Sequence, residues 1–298
     1  MKVGVLGSGF GLYGYLPALI LASEKKVFLP YRYSQKLSQR SDISKFLDKI
    51  LWVDTDHDIL SKVEALVISR RPKDQELLVN EALTYTNISH FLLEKPIARN
   101  PILALKTMNQ LLNQRKKIRV GYTFRYTKWG EEILKRKFDS LIDEPINIEW
   151  LFKANHYLTD ENNWKRYVSE GGGALRFFGI HLIALLSEIG YTSVLFSKIA
   201  TERINEAESW TAKFSGVNLP DANIKVDSNS AVHKFSVRTG NFITLQRDPF
   251  ESDLLIEGVD QRVSGIGKLC IDLLDITSEN PEWYIRSLEL WLSAEKAL

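Results

Sequence analysis

Through the first 120 residues, short apolar runs alternate with stretches whose apolar positions recur every three or four residues. "KVGVLG" reads as a strand ending in glycine, and "YLPALILAS" has the apolar density of a helix packed on a sheet. "KKVFLPYRY" reads as a second strand, and "DILSKVEALVISRR" as a helix or turn feeding a strand at Ala65–Ser69. Leu77, Leu78, Ala82 and Leu83 give "KDQELLVNEALTYT" an apolar stripe, after which "SHFLLEK" forms a strand. "NPILALKTMNQLLNQRK" is a further amphipathic helix, followed by the strand "KIRVGYTF". Alternation of this kind predicts a parallel sheet with helices on both faces.

Past residue 122 the period changes. A basic helical segment, "KWGEEILKRKF", leads into the alternating stretches "PINIEWLFKANHY", "SAVHKFSVRT" and "NFITLQRD". Alternation over that length fits a sheet with one face exposed or covered by a partner. "DQRVSGIGKLCIDLLDI" and "NPEWYIRSLELWLSAEKAL" predict closing helices, the second with Asn280 as cap and Pro281 at its first position. The fold class expected is α/β in two domains, with a boundary near residue 120 dividing 1–120 from 121–298.

Composition narrows the function. Lys and Arg number 39 against 37 Asp and Glu, a net charge of +2, so bulk electrostatics imply no nucleic-acid partner. One cysteine, Cys270, excludes an internal disulfide and a cysteine-cluster metal site, and the five histidines form no local metal-binding pair. No metal is expected. The longest apolar stretches read as too short for a membrane span, and glycines follow too soon after the start for a signal peptide, so a cytoplasmic location without membrane contact is the default.

The chemistry begins at "GSGFGLYG". A dinucleotide-binding turn needs one glycine for a tight bend, one for close approach of the backbone to a pyrophosphate, and one for helix packing. Gly7 and Gly9 meet the first two needs; Leu12 occupies the third position, leaving Gly11 or Gly14 to provide clearance. Backbone N–H groups of Gly9, Phe10 and Gly11, at a helix start, would face phosphate. NAD sites place an acid about 20 residues further on, yet no acid lies between Glu24 and Asp42. Arg32 stands there instead, with Lys36, Tyr33 and Ser34 beside it. An arginine pairs bidentately with phosphate, so NADP(H) is the preferred cofactor and NAD(H) the alternative.

The segments "VGVLGSGFGLYGYLPAL", "EALVISRRPKDQELLVNEAL", "FLLEKPIARN", "GYTFRY" and "NNWKRYVSEGGGALRFFGIHL" occur in an order that resembles the Gfo/Idh/MocA oxidoreductase family, named after glucose-fructose oxidoreductase and inositol dehydrogenase. The resemblance implies an N-terminal Rossmann domain and a C-terminal α/β domain built on a large, mostly antiparallel sheet. It also implies hydride transfer between nicotinamide and a sugar, cyclitol or nucleotide-linked sugar, in a homodimer or tetramer associated through that sheet. Lys95 of the Glu94-Lys95-Pro96 motif would lie by the reacting oxygen, with Glu94 and Pro96 shaping the backbone at the nicotinamide end. The family's histidine falls on His181.

An ammonium beside a carbonyl oxygen stabilises the charge that develops as hydride arrives, and an imidazole exchanges protons near neutral pH. For His181 an ordinary buried role stands beside this one, because "FFGIHLIALL" is apolar. Arg125, Trp164 and Tyr167 combine apolar faces with donors suited to a polyhydroxylated substrate. Two positions depart from the family: Phe177 replaces the usual aspartate, and Ala184 the acid after the histidine. If His181 catalyses, it does so without that neighbour, or a carboxylate such as Glu170 reaches it. The departures keep two alternatives open, a reductase of a non-sugar substrate and a noncatalytic dinucleotide-binding sensor or interaction protein.

Overall fold

The structure is a computed structural model that describes residues 1–298 except 137, 139–143, 202, 252–257, 276 and 298. The chain forms two compact units. The first comprises Met1–Ile97, Lys106–Tyr126 and Ser252–Asn280, and the second Ala98–Leu105, Thr127–Glu251 and Pro281–Leu298. Both are assembled from separate stretches, and the return of Ser252–Asn280 to the first leaves no trace in the hydrophobic rhythm.

In the first unit six short strands lie parallel: β1 Val3–Leu6, β2 Val27–Pro30, β3 Ile50–Val53, β4 Ala65–Ile68, β5 His90–Leu93 and β6 Lys117–Val120. Their order is β3-β2-β1-β4-β5-β6, the doubly wound Rossmann arrangement, with its direction reversing between β1 and β4. β1 and β4 are buried along their whole length, as their unbroken apolar runs require of strands covered on both faces. β3 is the strand that sequence patterning misses. "ILWV" is only four residues long and follows broken helical turns rather than a helix.

Helix Val263–Leu274 joins this unit from far along the chain, and its Val263, Ile266, Leu269, Cys270 and Leu273 enter the core around β1 and helix Leu16–Ser23. The Cys270 thiol is fully buried, which pushes its pKa up and leaves it an inert core group. Asn280 does not cap the closing helix. Its side chain accepts from Ile118 N at 2.7 Å and donates to Lys116 O at 2.9 Å, so it holds the β6 edge instead.

The second unit carries a mixed, mostly antiparallel sheet of β7 Ile146–Lys153, β8 Ser193–Ala200, β9 Ser209–Gly216, β10 Leu219–Asp227, β11 Asn229–Thr239 and β12 Phe242–Gln246. The order is β12-β11-β7-β10-β9-β8, and the β7–β10 pair is parallel. Ile148, Trp150, Trp210, Phe214, Ile224, Val226, Phe235 and Val237 face the core. The opposite face carries Glu149 between Lys225 and Lys234 and Lys213 paired to Asp221, while Leu195 and Phe196 in β8, Val232 in β11 and Ile243 and Leu245 in β12 stand exposed. The predicted helices 128–138, 260–276 and 280–298 appear as Lys128–Lys135, Val263–Leu274 and Trp283–Lys296; Lys137, Ile276 and Leu298 lie outside the described residues.

One run among the described residues, Val168–Ile189, is long and apolar enough to cross a membrane, with a mean hydropathy of 1.4, which corrects the expectation that every apolar stretch is too short. Of its most apolar window, 78% is buried inside the protein, the position of a core helix.

Candidate functional site

The glycine turn after β1 divides its roles by what surrounds each residue. A Cβ on Gly7 would lie 2.1 Å from the Ser69 carbonyl oxygen, so this glycine is demanded by the approach of the β1 and β4 ends. A Cβ on Gly9 would meet nothing within 4 Å. That open side is where a pyrophosphate would approach backbone, as the second fingerprint glycine requires. Leu12 is 2% exposed and belongs to the core, and a Cβ on Gly11 would make ordinary van der Waals contact, 3.4 Å from Ser69 Cβ and Val5 Cγ1, so packing does not demand glycine at position 11.

Gly14 serves the Phe10 ring, which lies 2.4 Å from where its Cβ would be. Phe10 is also flanked edge-on by Tyr13 and Tyr15, while the Arg262 guanidinium sits 4.1 Å from its ring centroid. The Phe10 side chain therefore braces the turn, leaving its backbone as the part available to a cofactor. Arg262, held bidentately by Asp260, comes from the start of helix Val263–Leu274, which sequence proximity could not reveal. The helix opens as a wide turn over Gly11–Tyr15 before continuing as Leu16–Ser23. Lys36 reaches back to this turn and donates to Ser8 O at 2.6 Å.

Arg32 lies in the single turn Tyr31–Tyr33 after β2, over the Tyr33 ring at 4.9 Å and 2.5 Å from Asp56 Oδ1. The acid missing from the β2 end in sequence is thus supplied from the β3 end, at the start of helix Asp56–Lys62. Asp56 binds Arg70 as well, at 2.5 Å through Oδ2. Neither Asp56 nor Arg70 is marked by any local motif.

At the β5 end, Lys95 is 8% exposed. Buried Gln75, in the first turns of helix Pro72–Ala82, donates through Nε2 to the carbonyls of Glu94, Pro96 and Ile97 at 2.6, 3.3 and 3.1 Å, tying down the turn that carries Lys95. Glu94 Oε2 accepts from the Tyr15 hydroxyl at 2.5 Å. Burial, then the Glu94 charge, pushes the Tyr15 pKa far up, so the phenol keeps its proton and donates. Gly121 makes room for this pair, since its Cβ would fall 2.4 Å from the Tyr15 hydroxyl oxygen. Arg125, in the turn Thr123–Tyr126, lies over its neighbour Tyr126 at 5.1 Å.

In the second unit the three glycines before His181 turn out to serve packing. Gly171 and Gly173 have φ of 88° and 89°, which favour glycine. A Cβ on Gly172 would lie 2.4 Å from Trp164 O, and one on Gly173 2.7 Å from Ala207 Cβ. They let Trp164–Arg166 and the segment near Ala207 close on the helix that carries His181. Arg166 completes the block: 4% exposed, it pairs with Asp160 at 3.0 Å and Glu206 at 3.2 Å and covers the Tyr157 ring at 5.0 Å. Arg176 does the same for the following turn, bidentate to Glu295 and donating to Val168 O and Arg99 O.

His181 is 4% exposed and lies edge-on to Phe250 at 5.8 Å. Phe177 packs against Trp164 at 5.3 Å and Phe178 at 4.8 Å, with the Lys165 ammonium 5.1 Å from its ring. An aromatic wall thus occupies the place of the expected acid. Ala184 is wholly buried, where a carboxylate would be costly, and Glu170 is exposed. Tyr167 is half-buried and pairs through its backbone with Glu206.

His156 is a titratable group that sequence reading passed over. It is 4% exposed, stacked 6.4 Å from Phe178, and burial, then Lys165 and Arg166, lower its pKa from 6.5 to about 4. The unfolded chain therefore binds the proton more readily, so the stability this histidine contributes is full above about pH 6.5 and is lost as pH falls toward 4. That loss amounts to at most about 3 kcal/mol. Chemical denaturation of His156→Phe across this window is expected to show a flatter fall in stability than the wild type; an identical slope would assign the acid sensitivity elsewhere.

No protein-family model matches the chain, and no curated protein does. Solved structures match it over its whole length. GenD2 from gentamicin A biosynthesis, in complex with NAD, superposes with a TM-score of 0.73 at 14% identity, covering 100% of this chain and 93% of that one. The WlbA dehydrogenase from Bordetella pertussis, in complex with NADH and UDP-GlcNAcA, gives 0.73 at 14% identity, with 100% and 96% covered. Levoglucosan dehydrogenase, in complex with NADH and levoglucosan, gives 0.72 at 11% identity, with 100% and 98% covered. The chain shares the two-domain fold of these dehydrogenases.

Proposed function

We propose that the chain is an NADP(H)-dependent reductase or dehydrogenase acting on a sugar, cyclitol or nucleotide-linked sugar. The observation that carries this reading is the open side of Gly9, at the carboxyl end of a Rossmann sheet that also presents buried Lys95 at the β5 end. Ligands of such sheets bind outside the carboxyl ends of the strands, where the strand order reverses. The solved dehydrogenases of the same fold, bound to NAD or NADH and in two cases to a sugar or sugar nucleotide, support the class of cofactor and substrate.

The residues of the turn fit a dinucleotide. Backbone at Gly9, Phe10 and Gly11 would hold the pyrophosphate, and Arg32 the adenosine end. When bound, the nicotinamide supplies or accepts the hydride. In the reducing direction the substrate carbonyl carbon gains hydride, Lys95 stabilises the negative oxygen, and His181 or Lys95 delivers the proton to it. Arg125, Trp164 and Tyr167 are assigned to substrate binding.

Tryptophan-fluorescence titration should give tighter binding of NADPH than of NADH, and a panel of sugars, cyclitols and nucleotide-linked sugars should yield turnover followed by nicotinamide absorbance. Failure of both dinucleotides to bind would end the reading. Phe177 and Ala184 favour a second one, a noncatalytic sensor, for which tight dinucleotide binding with no turnover across polar and apolar carbonyl compounds is the signature.

A further inference from the structure

The arrangement around Asp56 goes beyond a single arginine after β2. Arg32 follows β2, Asp56 follows β3 and Arg70 follows β4, so three strand ends contribute to one cluster. Asp56 gives one carboxylate oxygen to each guanidinium, both at 2.5 Å. In the sheet β2 and β4 are the two neighbours of β1, so the two arginines leave strands on either side of the one from which the glycine turn departs, and their guanidiniums converge on the Asp56 carboxylate.

Side-chain exposures of 45% for Arg32, 27% for Asp56 and 26% for Arg70 mean that these ion pairs add little to stability. Their effect is orientation. Both arginines are anchored through Nη2, and among the described residues their Nε and Nη1 make no hydrogen bond, so each planar fork is fixed at one end with donors to spare. Two guanidiniums and one carboxylate leave one positive charge, and the Lys36 ammonium on Ser8 O adds a second. A phosphate monoester near neutral pH carries close to two negative charges.

We propose that Arg70 is a second determinant of cofactor specificity, forming with Arg32 a two-armed receptor for the 2′-phosphate of NADP(H), and that Asp56 holds both arms in position. This rests on the dinucleotide-binding reading above and adds a residue to it from the far side of β1. A ribose with a free 2′-hydroxyl offers these arms no charge, so the contribution of Arg70 falls on NADP(H) and not on NAD(H).

The test compares the wild type with Arg32→Ala, Arg70→Ala and Arg70→Lys in titrations with NADPH, NADH, 2′,5′-ADP and 5′-AMP. Arg70→Ala is expected to weaken NADPH and 2′,5′-ADP about tenfold while NADH and 5′-AMP change less than about twofold. Arg70→Lys, a charge without the fork, should recover part of the loss. The thermal midpoint should be unchanged, as it is for most exposed ion pairs. Equal weakening of NADPH and NADH would make Arg70 a general adenosine contact and overturn the proposal. Loss of preference in Arg32→Ala alone would overturn it while sparing the NADP(H) reading, whereas a wild type that binds NADH as tightly as NADPH would remove that reading first.

Discussion

Replacing Lys95 with alanine is expected to lower kcat/KM by roughly 10²–10⁴-fold with the substrate that the panel identifies, the range for a well-placed group that handles charge or a proton in the transition state. The lysine is 8% exposed at the end of β5, and three carbonyls of its turn are held by Gln75, so the ammonium is displayed from a fixed backbone. NADPH affinity and the unfolding midpoint should change little, because the loss belongs to the transition state. His181→Ala is expected to cost less. Its environment is the edge of Phe250 and an apolar helix, and no acid at 177 or 184 stands ready to raise its basicity. Wild-type turnover in a folded Lys95→Ala protein would refute the mechanism. Wild-type turnover in His181→Ala alone, with a lowered unfolding midpoint, would make the histidine structural and leave Lys95 as the proton carrier.

The glycine turn yields the second large effect, because two glycines separated by a single residue are constrained by different things. Gly7→Ala drives a methyl to within 2.1 Å of the Ser69 carbonyl oxygen, where backbone on both sides must shift. A loss on the order of 3 kcal/mol is expected, at the upper end for overpacking. Gly9→Ala meets no atom within 4 Å and should leave the unfolding midpoint close to that of the wild type. In the proposed site its methyl would occupy the side from which a pyrophosphate approaches, and dinucleotide affinity should fall by about tenfold or more. Denaturation curves and NADPH titrations of the two variants separate these outcomes. A Gly9→Ala protein that binds NADPH normally would remove the turn from the cofactor site.

Much of the first unit is legible in sequence because its information is local. A strand buried on both faces must be an apolar run, and "VGVL", "ALVI" and "HFLL" each end where a turn or motif begins. The Gly7–Gly9 spacing and the Glu94-Lys95-Pro96 motif are likewise contained within a few residues. The second sheet is only half legible. β7, β11 and β12 fall within the alternating stretches, while β8 to β10 pass unnoticed: β8 exposes most of its residues, and β10 holds a proline and a register shift against β9.

The glycines at 171–173 give the opposite lesson. In sequence they suggest either a helix entry or a ligand, and the partners that decide the matter, Trp164, Lys165 and Ala207, lie up to some thirty residues away along the chain. Leu12 likewise looks like a defect in the nucleotide motif until it is seen buried in the core of the first unit.

What the sequence determined by itself is therefore the alternation that makes a parallel sheet, the turn that leaves β1, and the position of Lys95 after β5. Each depends on the period of burial or on the backbone freedom of adjacent residues, which are properties of short segments. Only the tertiary structure decided that Asp56 and Arg70 join Arg32, that Arg262 covers Phe10, and that Phe177 packs against the rings of Trp164 and Phe178. Those assignments depend on which strand ends and helix starts the fold brings together. Charge pairing and ring packing act through space over a few ångströms, and separation along the chain carries almost no information about them.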